Sequence, residues 1–198
     1  MFSPFKYNLG FTSAAFLFRD SVLLSKLYLS LGDWNMVREK VLSENLLQIR
    51  TIAAQKRIYS ETYTRLKALS EDALGVIANG ERDDKVHMIW YAICKKYALI
   101  RDFSVHVLSP KVRINARDLS EADFNVYFNN LAISHDELNR ISISSRAKLT
   151  KNLFRMLISA GIINSAGELC PISISESVRQ IVLEDNDIPL DIYPGIDL

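Results

Sequence analysis

Apolar residues recur along the first half of the chain at helical spacing. Val22, Leu23, Leu27 and Leu31 follow a period near 3.6, and Gly32 stops a helix predicted over residues 21–31. Asp33 caps a second helix, in which Trp34, Val37 and Val41 face one way while Arg38, Glu39 and Lys40 face solvent. Leu46, Ile49, Ile52, Ala53, Ile58, Tyr59, Tyr63 and Leu66 predict one long helix over residues 44–69. Ser70 is the next N-cap, and Gly80 closes a short helix over residues 71–79. Residues 84–107 hold His87, Met88, Trp90, Tyr91, Tyr97, Ile100 and Phe103, apolar on nearly every side, as a buried central helix or helix pair requires.

Pro110 ends that run, and residues 111–118 (KVRINARD) alternate basic and apolar residues without a helical period. The chain is therefore expected to divide into a helical domain, residues 1–112, and a second domain, residues 113–198. Ser120 with Asp123, Ser134 with Glu137 and Ser173 with Glu176 are spaced as capping pairs, so three helix starts are predicted. Ser144 opens another helix over residues 146–160, ended by Gly161. Ile162 and Ile163, a turn over residues 164–167, then Leu169 and Cys170 predict a hairpin. The order helix, helix, helix, hairpin, helix is that of a winged helix-turn-helix, in which the third helix enters a DNA groove. The fold class is mainly α.

Composition changes the picture in one respect. The 198 residues are 48% hydrophobic and 24% charged, ordinary for globular domains, and seven glycines and five prolines leave room for long helices. The net charge of +1, however, hides an asymmetry. Residues 1–110 carry 15 Lys and Arg against 11 Asp and Glu, residues 111–160 carry 8 against 5, and residues 161–198 carry 1 against 7. A basic body attracts polyanions, and an acidic tail competes with them. Two cysteines without metal or redox spacing suit a reducing compartment. The longest apolar run, residues 7–18, is too short to span a bilayer and ends at Arg19 and Asp20 without a cleavage site, so a cytoplasmic protein without membrane contact is expected.

The chemistry lies in the cations. On the helix after Ser144, Lys148, Lys151 and Arg155 fall within about 60° of one another at 100° per residue, opposite Leu149, Leu153, Met156, Leu157 and Ala160. A helix with a core face and a basic face suits phosphate contact, because Lys and Arg displace counterions condensed on the nucleic-acid backbone. Arg146, near the N-terminal end, is placed to reach a base edge or a phosphate. Lys111, Arg113 and Arg117 form a basic arm, and the ordinary alternative for every one of these cations is a solvated surface. The hairpin is bare: residues 164–172 hold Glu168 and no Lys or Arg. Arg50, Lys56 and Arg57 read as a solvated or ion-paired face. No catalytic group, metal site or cofactor is expected. His87 sits among Val86, Met88 and Ile89 as a packed histidine, His106 and His135 lack metal-ligand spacing, and neither Cys94 nor Cys170 has a readable histidine partner.

Four stretches carry a family resemblance: YNLGFTSAAFLFRDSVLLSKLYLSLGDW (7–34), VREKVLSENLLQIRTIAAQKRI (37–58), WYAICKKYALIRDFSVHVL (90–108) and SSRAKLTKNLFRMLISAGII (144–163). Across them the chain resembles the BrxA family, accessory proteins of the bacterial phage-exclusion systems called BREX. None of the stretches is a catalytic signature. The resemblance implies a first domain similar to the transcription antitermination factor NusB, a winged-helix-like second domain and DNA binding. The combined expectation is a non-enzymatic, sequence-tolerant binder of double-stranded DNA that acts beside other BREX components and has no small-molecule substrate. Its rival is an adaptor, docking onto those components through apolar faces and the acidic tail, with nucleic acid incidental.

Overall fold

Short polar residues and glycines set where the helices begin and end. The computed structural model describes residues 6–13 and 15–196, and these are mainly helical. Helix α1 (Phe18–Leu31) starts earlier than the apolar spacing predicts, because Leu17 turns into the left-handed region (φ 57°) and its carbonyl accepts from the Ser21 amide. Gly32, at φ 70°, ends α1 by bonding the Tyr28 carbonyl. The Asp33 carboxylate caps α2 (Trp34–Ser43), accepting from the Asn35 and Met36 amides. The helix expected over residues 44–69 does not run unbroken: Asn45 and Gln48 adopt φ 47° and 57°, and Thr51 caps a fresh helix, α3 (Ile52–Leu66). Ser70 caps α4 (Glu71–Asn79), which ends at Gly80 as the sequence implies, and α5 covers Arg82–Lys96.

The chain forms two compact units. One is residues 17–92, in which α1 packs against α2, α3 and α4 around Leu24, Val37, Val41, Leu66, Leu74 and Ile77. Each such side chain, fully buried, contributes about 1.5–3 kcal/mol.

The other unit joins residues 1–16 to residues 93–198. Here α6 (Ala98–Phe103), a π-helical turn (Ser104–Leu108) and α7 (Ser109–Arg113) follow one another. Pro110 does not end the helical run. It enters directly after the π-helical turn, where the backbone stays helical through Leu108 and Ser109 and the Ser109 amide still reaches the Ser104 carbonyl, so the missing proline N–H does not break the run. The division expected at residues 112 and 113 falls inside this unit. Helix α8 (Glu121–Ala132) begins with the expected capping box, the Ser120 amide donating to Asp123 Oδ2 at 2.9 Å. Then come α9 (Asp136–Asn139), α10 (Ile143–Ser159) and α11 (Glu176–Asp185). Their caps are His135, Ser142 and Ser175, not Ser134, Ser144 and Ser173. Glu137 is drawn away from Ser134 because it accepts from the Tyr7 amide at 2.8 Å. The core of the unit is aromatic: Phe103 meets Phe124 edge-on at 5.3 Å and Tyr127 at 5.2 Å, pairs that add about 0.5–1.5 kcal/mol each to simple burial.

The hairpin exists in minimal form. Ile163 bridges Leu169 across a turn that needs Gly167 at φ 83°, and Asp118 bridges Glu168 from the other side; among the described residues these are the isolated β-pairings of the fold. No helix among the described residues is long and apolar enough to cross a membrane.

Candidate nucleic-acid interface

Helix α10 is built with two unlike faces. Leu149, Thr150, Leu153, Met156 and Leu157 are buried, while Lys148, Lys151 and Arg155 are exposed. No ion-pair or hydrogen-bond partner meets these three cations among the described residues. From Lys148 to Arg155 the axis rises about 10 Å, the length over which one DNA strand presents about three phosphates. The buried side is anchored within its own unit: Asn152 donates to the Phe11 carbonyl at 3.0 Å, and α10 packs on the 3-10 turn Gly10–Ser13.

Arg146 stands apart from that stripe. Its Nε donates to Asn125 Oδ1 (3.1 Å), its Nη1 to Asn129 Oδ1 (2.7 Å) and its Nη2 to the Asn125 carbonyl (3.0 Å). The guanidinium also lies 4.5 Å over the Phe128 ring, and burial pushes its pKa down. The side chain latches α10 to α8. Asn125 and Asn129 carry no local signal that would single them out, since they meet Arg146 only across 21 and 17 residues of chain.

The basic arm is not one feature. Lys111 pairs with Asp123 at 2.9 Å and donates to the Asp118 carbonyl at 2.9 Å. Desolvation raises the Asp123 pKa, but Lys111 and the Ser120 amide outweigh it and hold the carboxyl below its usual range. Arg113 pairs with Asp191. Arg117 is exposed, donates to Asn115 Oδ1 at 3.1 Å, and its carbonyl accepts from the Leu169 amide at 2.7 Å. It thus sits beside the hairpin that lacks cations of its own.

Three aspartates of the acidic stretch are tied down by cations. Asp185 and Asp187 meet Lys95 at 2.6 and 2.7 Å, and Asp191 meets Arg113. Asp197 lies outside the described residues. A buried polar network, unmarked in the sequence, joins Tyr7, whose hydroxyl donates to Asp102 Oδ2 at 2.8 Å, to Arg101, which reaches Asp102 Oδ1 at 3.0 Å. His135 faces Glu137 at 3.3 Å and the Tyr7 ring at 4.6 Å, and burial pushes the His87 pKa down and the Cys94 thiol up.

The fold and this surface define a mainly helical protein with a cationic helix face. A family model described as BrxA matches residues 5–186, and the chain belongs to the BrxA family. It is 28% identical over 166 residues to "BREX protein BrxA" of Bacillus cereus (strain H3081.97), covering 80% of this chain and 82% of that one. It is 26% identical over 147 residues to "BREX protein BrxA" of Escherichia coli O9:H4 (strain HS), covering 74% and 69%. A crystal structure of an uncharacterized protein from Magnetospirillum magneticum shares the fold, with a TM-score of 0.81 at 22% identity over 92% of this chain and 94% of that one.

Proposed function

We propose that the protein is a cytoplasmic, non-enzymatic component of a BREX phage-defence system that binds double-stranded DNA with little regard to sequence. The observation that carries this reading is the row of Lys148, Lys151 and Arg155, exposed and without carboxylate partners among the described residues, on a helix anchored from behind. Cations already paired within the protein release no counterions from DNA; these three do. The relatives' names support the place in phage defence and other BREX components as partners. The order α8, α9, α10, hairpin, α11 supports a winged-helix-like region, with residues 17–92 and the helices that follow as the NusB-like part.

Ile133 and Ile143, 86% and 90% exposed, favour a second role as an adaptor docking onto protein partners. Duplex affinity measured across a salt series decides between the two. Each phosphate neutralised contributes about 0.9 to the slope of log affinity against log salt, so changing Lys148, Lys151 and Arg155 together to Ala flattens the slope by up to about 2.7. An unchanged slope with full binding dismisses α10, and no duplex binding by the wild type at low salt leaves the adaptor.

A further inference from the structure

Helices α2 and α3 lie side by side within the 17–92 unit and enclose a cleft of about 350 Å³. Trp34 and Arg38, one turn apart on α2, face Lys56, Tyr59 and Tyr63, which the spacing i, i+3, i+7 puts on one side of α3. The aromatic wall is held in place before any ligand arrives. Tyr28 stacks on Trp34 at 4.3 Å, Tyr63 meets Trp34 edge-on at 5.3 Å, and Tyr59 lies parallel to Tyr63 at 5.8 Å. The Tyr59 hydroxyl donates to the Trp34 carbonyl at 3.1 Å. Burial first, and the neighbouring Tyr63 second, push the Tyr59 pKa up to about 12 against the opposing pull of Arg38, so this bond keeps its proton at neutral pH.

Trp34 and Tyr63 are only half-buried: Tyr28 stacks on Trp34, and Lys67 Nζ lies 5.2 Å over the Tyr63 ring, so the surface these rings offer the cleft is the part that Tyr28, Tyr59 and Lys67 leave uncovered. Arg38 and Lys56 are exposed, have no ion-pair partner among the described residues, and stand in a lining that contains no carboxylate. A packed aromatic cluster at the edge of a core needs neither the cavity nor the two uncompensated cations. A planar ring satisfies the aromatic wall and an anion satisfies the cations. We propose that this cleft binds a nucleotide with an unstacked base, the base lying against Trp34 and Tyr63 and the phosphate beside Arg38 and Lys56. The volume is at the small end of ligand sites, which suits one nucleotide. A base within a duplex is stacked on both faces and enters such a cleft only if flipped out, so the site is distinct from the α10 stripe and does not depend on it. No small-molecule substrate is expected from the sequence, and a nucleotide held here is proposed as a ligand only.

Fluorescence of the full chain reads this out, because Trp34 and Trp90 are its only tryptophans and Trp90 is 1% exposed. AMP is expected to quench saturably, with adenosine or inorganic phosphate alone at least about tenfold weaker, as the loss of one charge-assisted contact or one stack predicts. The Arg38→Gln, Lys56→Gln double variant should weaken AMP at least about tenfold with an unchanged melting temperature. Trp34→Phe should abolish the quench while equilibrium dialysis still detects AMP. Displacement of AMP by single-stranded oligothymidylate identifies an unpaired strand as the source, and AMP binding without displacement identifies the free nucleotide. The Lys148, Lys151, Arg155 triple variant should bind AMP as the wild type does, whatever it does on duplex DNA. Two results overturn the proposal: no saturable binding of AMP or oligothymidylate into the millimolar range, or binding that the double variant leaves unchanged.

Discussion

Changing Arg146 to Ala should loosen α10 from α8 without touching the basic stripe. Three of the five guanidinium N–H groups are engaged by Asn125 and Asn129, and the group covers the Phe128 ring. Each hydrogen bond contributes a net of about 0.5–1.5 kcal/mol and the cation–π contact about 0.5–1 kcal/mol. Arg146 is half-buried, so water replaces part of this when the side chain is removed, and the expected loss sits low in the range, about 2–3 kcal/mol. At about 2–4 °C per kcal/mol, the melting temperature should fall by about 4–12 °C. Arg146→Lys keeps the charge but not the fork, so it should recover less than half of that. Duplex titrations run well below the melting transition supply the second axis. Arg146→Ala should leave the salt slope unchanged, whereas Arg155→Ala should lower it by about 0.9 with no change in melting. Arg146→Ala with wild-type melting and a slope lower by about 0.9 would refute the latch and return Arg146 to the phosphates.

The caps are testable in the same way: Ser142→Ala should cost about 1 kcal/mol in chemical denaturation, while Ser144→Ala should be nearly neutral, because Ser142 Oγ is the one that accepts from the Ser145 amide. Alkylation of the folded protein followed by mass spectrometry should label Cys170, which is half-buried, and spare Cys94, which is fully buried with its thiol pushed up; labelling of both at equal rates would mean the core opens readily. Asp123 and Glu137 both titrate below their ordinary range, so the stability they contribute is fully present above about pH 4.5 and is lost as pH falls through their folded values. Melting curves taken from pH 6 down to pH 2 should therefore be less steep in Asp123→Asn and Glu137→Gln than in the wild type.

Signals that act locally along the chain are legible in the sequence. Gly32, Asp33, Ser70 and Gly80 bound their helices as expected, because each acts on a backbone group within four residues of itself. The two faces of α10 are legible for the same reason, periodicity being a property of the helix alone. The break at residues 45–48 is not, since Gln48 adopts a left-handed conformation that its side chain does nothing to announce. Ser134 and Ser173 match the capping spacing, yet competition decides otherwise: Glu137 is taken by the Tyr7 amide from 130 residues away, and Ser175 stands closer to α11. Residues 111–117 read as a uniform basic arm because charge is visible in a sequence and partners are not. Asp123 and Asp191, which pair with Lys111 and Arg113, come from α8 and from the far end of the chain. Likewise Trp34, Tyr59 and Tyr63 sit at core spacing, and only the packing of α2 on α3 leaves the Trp34 and Tyr63 rings half-open beside Arg38 and Lys56.

The unit that joins residues 1–16 to residues 93–198 has a consequence for synthesis. Tyr7 bonds Asp102 and Glu137, and the Phe11 carbonyl accepts from Asn152, so a segment synthesised early has its partners 95 to 141 residues further along the chain. Residues 17–92 meet their own core as soon as they emerge, whereas Tyr7 and Phe11 must wait for about a hundred further residues, on the order of 5–20 s at ordinary translation rates. During that interval Tyr7, Phe11 and Phe16, all buried in the finished protein, are held in solvent or by whatever else meets them. Closing so long a loop costs little more than closing one half its length, because the entropy grows only with the logarithm of the separation. The delay is therefore one of order and time, and it makes the stretch around Tyr7 and Phe11 the part of this unit most open to early misassociation.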